Sequence, residues 1–155
     1  MKRIALAAAA LAAASASLAS AQQGPKPEEE IQYRQSVMTV IGRAMGPMGA
    51  MAQGKAPFNA AAAQKNSALV DTLLSLPWNS FGPGNEKGAP NKAAPAIWKD
   101  PAKFKHAAET AQKAAANLAA VAKSGDEGKF KAAFGELGKS CKGCHDDFRT
   151  KEGHN

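Results

Sequence analysis

The chain has 155 residues, 45% of them hydrophobic and 21% charged, with a formal charge of +7. That length suits one domain, and the basic excess is spread out with no run of cations interleaved with aromatics, so nucleic-acid binding has no footing. Only two cysteines occur, Cys141 and Cys144, and a bridge between positions three apart closes too small a loop to act as a structural staple.

The N-terminus reads Met1-Lys2-Arg3, then an apolar run from Ile4 to Ala14, then small residues ending at Ala21. A positive start, a short apolar stretch and a small-x-small site at Ala19 and Ala21 together predict a signal peptide over residues 1–21, cut before Gln22. Residues 22–155 are then the mature domain, and losing Lys2 and Arg3 takes the charge from +7 to +5, 18 basic minus 13 acidic. The apolar run is shorter than the roughly 20 residues of a membrane span, and no later segment offers one. The expectation is an exported, soluble protein.

Helical periodicity dominates the remainder, and no strand pattern is convincing. The first helix is predicted to start near Pro27, with Glu28, Glu29 and Glu30 favouring its N-terminus. Its inward seam is expected at Ile31, Arg34, Met38, Ile41, Met45, Met48 and Ala52, with Pro47 inside it. The second is predicted from a cap at Asn59 to Leu76, presenting Ala62, Asn66, Leu69, Leu73 and Leu76, with Pro77 ending it. Residues 77–95, rich in Pro and Gly and carrying Trp78 and Phe81, read as a loop long enough to suspect a role. Asp100-Pro101 opens the third helix, with a seam at Phe104, Ala108, Ala111, Ala115, Leu118 and Ala122. Ser124 and Glu127, or alternatively Asp126, cap the fourth, whose seam is Phe130, Phe134, Leu137, Cys141, Cys144 and Phe148. Four amphipathic helices predict an all-α, antiparallel four-helix bundle. The alanine seam of the third helix fills little volume and leaves room for a bulky group between helices.

Cys141-Lys142-Gly143-Cys144-His145 is C-x-x-C-H, the attachment sequence for haem c. Positions three apart on a helix share a face, so both thiols reach the two vinyl groups on one porphyrin edge. His145, one position on, shares that face and is the predicted axial iron ligand. The expected cofactor is one covalent haem c per chain, in a four-helix bundle that encloses it. A dithiol oxidoreductase using Cys141 and Cys144 is the remote alternative, although the βαβ context of such pairs is missing. No catalytic set is visible, and the chain is expected not to be an enzyme.

Arg34 sits on an apolar seam, where a buried guanidinium needs an anionic partner and a haem propionate supplies one; the alternative is a snorkelling side chain with its head in water near the helix end. Gln35, beside it, donates to the same carboxylate or to water. Lys92 is a further propionate candidate, otherwise solvated. Met38, one turn past Arg34, either ligates the iron or caps an open site. Arg149, one turn after His145, passes beside the ring or offsets the helix C-terminus.

At these residues the chain resembles the cytochrome c′ family. The likeness is carried by Tyr33-Arg34-Gln35-Ser36, by Gln53-Gly54-Lys55-Ala56-Pro57-Phe58, and by Leu76-Pro77-Trp78 with Phe81-Gly82-Pro83-Gly84. It continues through Pro95-Ala96-Ile97-Trp98 and Lys131-Ala132-Ala133-Phe134-Gly135-Glu136 into the C-terminal C-x-x-C-H with Phe148-Arg149. The resemblance implies a periplasmic bundle, often a homodimer through its first two helices, with a five-coordinate, high-spin iron that binds nitric oxide or carbon monoxide, passes electrons to a redox partner protein, or both. It implies Cys141 and Cys144 as haem anchors and His145 as proximal ligand. Arg34 and Gln35 fall at the haem edge, Arg149 near the proximal face, and Met38 at the distal position. Low-spin relatives resembling cytochrome c-556 place a helix-one Met there as sixth ligand, so a six-coordinate His145/Met38 electron carrier is the alternative.

Overall fold

The computed structural model describes residues 24–154; the expected signal segment 1–21 lies outside them. Helix α1 spans Pro27–Ala52. Proline suits its first position because the missing N–H has no helical partner there, and the backbone N–H of Lys26 donates to the Glu29 carboxylate at 2.9 Å. The helix continues through Pro47. Ile31, Arg34, Val37, Ile41, Ala44, Met48 and Met51 are buried, whereas Met38, Met45 and Ala52 are half-buried. The inward stripe is therefore broader than the expected seam and takes in Val37 and Ala44, while Ile31 and Met48 of that seam are its most deeply buried residues.

Helix α2, Ala60–Leu74, is capped by the Asn59 side chain, which accepts from the Ala62 N–H at 2.9 Å. Its buried residues are Ala63, Ser67, Val70 and Leu74, one position away from the expected row; Leu69 and Leu76 face solvent. Both registers look apolar in so alanine-rich a helix. The inward one contains a serine, which tolerates burial because its hydroxyl donates to the Ala63 carbonyl one turn back, at 2.7 Å. Small residues there also let α2 approach Met48 of α1, whose sulfur lies 3.4 Å from the Ser67 hydroxyl. The helix stops at Leu74, and Pro77 opens a 3₁₀ turn, Pro77–Phe81.

Residues 77–95 are more ordered than an irregular loop. After the 3₁₀ turn, β1 (Asn91–Ala93) pairs antiparallel with β2 (Arg149–His154), setting Ala93 opposite Arg149. A three-residue strand whose partner lies at the far end of the chain carries no alternation to read. A single helical turn, α3 (Ala96–Lys99), follows.

Helix α4, Pro101–Ala122, starts as expected, with the Asp100 carboxylate accepting from the Lys103 N–H at 3.0 Å. Its whole expected seam is buried. Helix α5, Glu127–Phe148, is capped by Asp126, which accepts from the Lys129 N–H at 2.9 Å; Ser124 instead donates to the Val121 carbonyl. Phe130, Leu137 and Phe148 of its seam are buried, while Phe134, Cys141 and Cys144 are half-buried.

The long helices pack in a ring, α1 on α2, α2 on α4, α4 on α5 and α5 on α1, a four-helix bundle. Two apolar clusters fill it. The larger runs from Val37 and Ile41 through Met48, Val70, Leu118, Phe130 and Leu137. The smaller centres on Ile97, Phe104 and Phe148 at the C-terminal end of α5. Trp78 packs against both. The α2 register has a direct check: Leu74→Ala should cost about 2–5 kcal/mol by urea unfolding, and Gln64→Ala on the outer face about 0.5 kcal/mol or less. Equal losses would refute the register.

Candidate haem-attachment site

The two thiols lie where the apolar clusters meet. Cys141 packs against the larger cluster and Cys144 against the smaller one. Three residues apart on α5, they share its inward side as the motif requires. Both are free. Burial pushes each thiol up, Cys144 to about 11 with the charges of Cys141 and Asp147 adding to the effect. An attacking cysteine in a dithiol oxidoreductase needs the opposite shift, toward thiolate, so this environment disfavours that alternative.

His145 follows on the same turn with an exposed side chain. Partial desolvation, then the Arg149 charge, hold its pKa below the usual imidazole value, against the opposing pull of Asp146. That favours the neutral ring, the form that ligates a metal. Ion pairs steady the helix around it: Asp146 with Lys142 on the same helix, and Asp147 with Lys103 of α4 at 2.9 Å.

An aromatic row leads from this end of α5 to α1. Phe148 meets Phe104 at 5.2 Å between ring centroids, Phe104 meets Phe81 at 5.0 Å, and the Arg34 guanidinium lies 4.6 Å from the Phe81 ring centre. Arg34 is only 3% exposed. Its Nη1 donates to the Ser80 and Asn85 carbonyls at 2.7 and 2.9 Å. Its Nη2 is buried with no hydrogen-bond partner. Burial pushes its pKa down, and Glu30 and Glu86 partly offset this. An orphaned donor on a buried cation calls for an anion, so the residues fit a group that bonds two thiols at one edge and carries carboxylates at another. Haem c is such a group.

The other expected contacts divide. Met38 is half-buried against the same cluster as Cys141. Gln35 is exposed, its amide donating to the Pro90 carbonyl at 2.9 Å. Lys92, on the β1–β2 pair, reaches the Lys151 carbonyl at 3.0 Å. Arg149 begins β2, exposed, and its backbone N–H caps α5 on the His145 carbonyl. Asn91 escaped notice in the sequence, and Trp98 entered only as part of the family motif. The Trp98 indole N–H donates to the Gly82 carbonyl at 3.2 Å, and the Asn91 amide donates to the Ala89 and Glu86 carbonyls at 3.0 and 3.3 Å. Residues bonded to loop carbonyls leave no periodic signal.

Fold and site together define a c-type haem protein built on a four-helix bundle. The sequence model of the family described as Cytochrome C′ matches residues 29–149. The chain is 51% identical to cytochrome c′ of Rubrivivax gelatinosus, over 83% of this chain and all of that one. The crystal structure of that protein superposes with a TM-score of 0.80. Cytochrome c′ of Alcaligenes xylosoxydans is 43% identical over 84% of this chain and all of its own length. A nitric oxide complex of a variant of that protein superposes with a TM-score of 0.76 over 83% of this chain and all of that one. Cytochrome c-556 of Agrobacterium tumefaciens is 33% identical, over 79% of this chain and 98% of its own. The chain belongs to the cytochrome c′ family, whose cofactor is covalent haem c.

Thioether attachment predicts that haem stays with the chain through denaturing electrophoresis, and that Cys141→Ser with Cys144→Ser abolishes this. A purified wild type with two titratable thiols and no bound haem would contradict the site.

Proposed function

We propose that the chain is an exported, periplasmic cytochrome c′ that binds nitric oxide or carbon monoxide at an iron left open on one side, and that it passes electrons rather than turning over a substrate. Bound at this site, haem c supplies an iron that takes a diatomic gas as ligand or exchanges one electron. Cys141 and Cys144 would anchor the group, His145 would offer its ring nitrogen to the iron, and the unpartnered Nη2 of Arg34 would donate to a propionate. The observation that carries the open-iron reading is the character of α1 beside Arg34. Val37 and Ile41 are buried and Met38 is half-buried, all three against the core cluster that also receives Cys141. They offer no oxygen or nitrogen donor and keep that side dry.

A second reading has one specific support. Met38, at the position the family resemblance assigns to the distal side, carries a thioether and packs against the cluster that Cys141 joins, so a His145/Met38 low-spin electron carrier uses the same residues. The two separate by spectroscopy. With an open iron, the wild-type ferrous protein is high-spin and Met38→Leu changes its spectrum little, because one apolar cap replaces another. A low-spin wild type with a sulfur-to-iron charge-transfer band, turned high-spin by Met38→Leu, would establish Met38 as sixth ligand.

Export and a homodimer belong to the same proposal. Among the described residues, no helix is long and apolar enough to cross a membrane. The exposed large apolar side chains there are Tyr33 and Val40 on α1, with Leu69 and Leu76 on or just after α2. Tyr33 and Val40 are seven residues apart, which returns to nearly the same face of α1, while Leu69 faces out from α2 and Leu76 lies two residues past its end. Two helices bearing unpartnered apolar side chains suit a second copy of the chain. The mature protein should begin at Gln22 and sediment as a dimer, and Val40→Lys with Leu69→Lys should halve its mass without altering the haem spectrum. A wild-type monomer, or a double variant that stays dimeric, would remove this interface.

A further inference from the structure

One loop is held almost entirely by side chains that grip its carbonyl oxygens. Arg34 takes Ser80 and Asn85, Trp98 takes Gly82, Asn91 takes Glu86 and Ala89, and Gln35 takes Pro90. Residues 82–90 have no helix or strand of their own, so these carbonyls find no ladder of backbone partners. The donors come from α1, β1 and α3, so the loop is fastened at several points to separate elements. The tip is pressed tight as well. Gly88 has φ of +127°, and a Cβ there would stand 3.3 Å from the Pro27 Cβ at the start of α1. Only glycine suits both that backbone and that approach.

We infer that Arg34, Gln35 and Asn91 are positioning residues for the 80–90 loop, Arg34 and Gln35 clamping it onto α1 and Asn91 tying it to β1. Arg34 divides its two terminal nitrogens, Nη1 to the loop and Nη2 to an anion, and Gln35 gives an amide N–H to the loop. The assignment of Nη2 rests on the haem reading above; the clamp of Nη1 does not. The clamp matters to the site because Phe81, at the head of the loop, joins Arg34 to Phe104 and so to the cluster that receives Cys144. Holding the loop holds that wall, and it keeps water from the guanidinium and from the carboxylate paired with it.

Hydrogen exchange of the loop amides in the haem-loaded protein, read beside the midpoint potential, tests this. Each clamp bond contributes a typical hydrogen bond's net stability, so Gln35→Ala and Asn91→Ala should each speed exchange at residues 82–90 roughly 2- to 10-fold. The spectrum should stay as in the wild type, and the potential should shift by less than in Arg34→Lys. Arg34→Lys should speed exchange and also shift the potential, while Gln32→Ala, on the outer face of α1, should do neither. Unchanged exchange in Gln35→Ala, or a shifted potential with the loop undisturbed, would overturn the clamp and return Gln35 to the haem. A protein purified without haem would sink the haem reading, while the exchange rates would still decide the clamp.

Discussion

Two thiols three residues apart on a helix have to face the same way, and where that face points organises this molecule. On α5 it points to the seam between two apolar clusters, with Cys141 against one and Cys144 against the other. The neighbouring helix cannot crowd that seam with large side chains. Hence α4 runs Ala108, Ala111, Ala115 and Ala119 along its buried side, with Phe104 and Leu118 as the bulky exceptions. The aromatics concentrate instead at the C-terminal end of α5, where Phe104, Phe148, Phe81 and Trp78 build a wall.

Electrostatics adds the second tie. A guanidinium 3% exposed is costly unless its donors are used. Arg34 uses Nη1 on two carbonyls of the loop and leaves Nη2 without a partner among the described residues. An anion that satisfied it would meet α1 and the loop in one place, at the residue that already fixes the wall beside it. The surface charges do little of this work. Most ion pairs join residues three or four apart on a helix or its cap, and exposed pairs contribute little each; Lys103 with Asp147 is the one that ties α4 to α5.

Much of this was legible in the residues, for identifiable reasons. C-x-x-C-H declares its chemistry because both spacing and residue type are dictated by a porphyrin edge, and Arg34 stood out as a charge on an apolar row. The α4 seam was readable because Phe104 and Leu118 mark the phase of the alanines between them. The α2 register was not. There, Leu69 and Leu76 suggested an inward row that the buried Ser67 displaced. The β1–β2 pair and the carbonyl clamp were hidden for a different reason. Both run through backbone atoms, which every residue carries alike, and several of their contacts join residues far apart in the chain.

The chain is also similar to a relative named cytochrome c-556, so likeness alone leaves the iron's second axial position to be decided by this chain's own Met38. The rate of carbon monoxide binding to the ferrous wild type addresses that position most directly. If His145 is the single protein ligand and Val37, Met38 and Ile41 only keep the other side dry, the rate should rise in proportion to carbon monoxide concentration throughout. A rate that levels off at a fixed value would mean that a protein ligand must leave first, and would contradict the open iron.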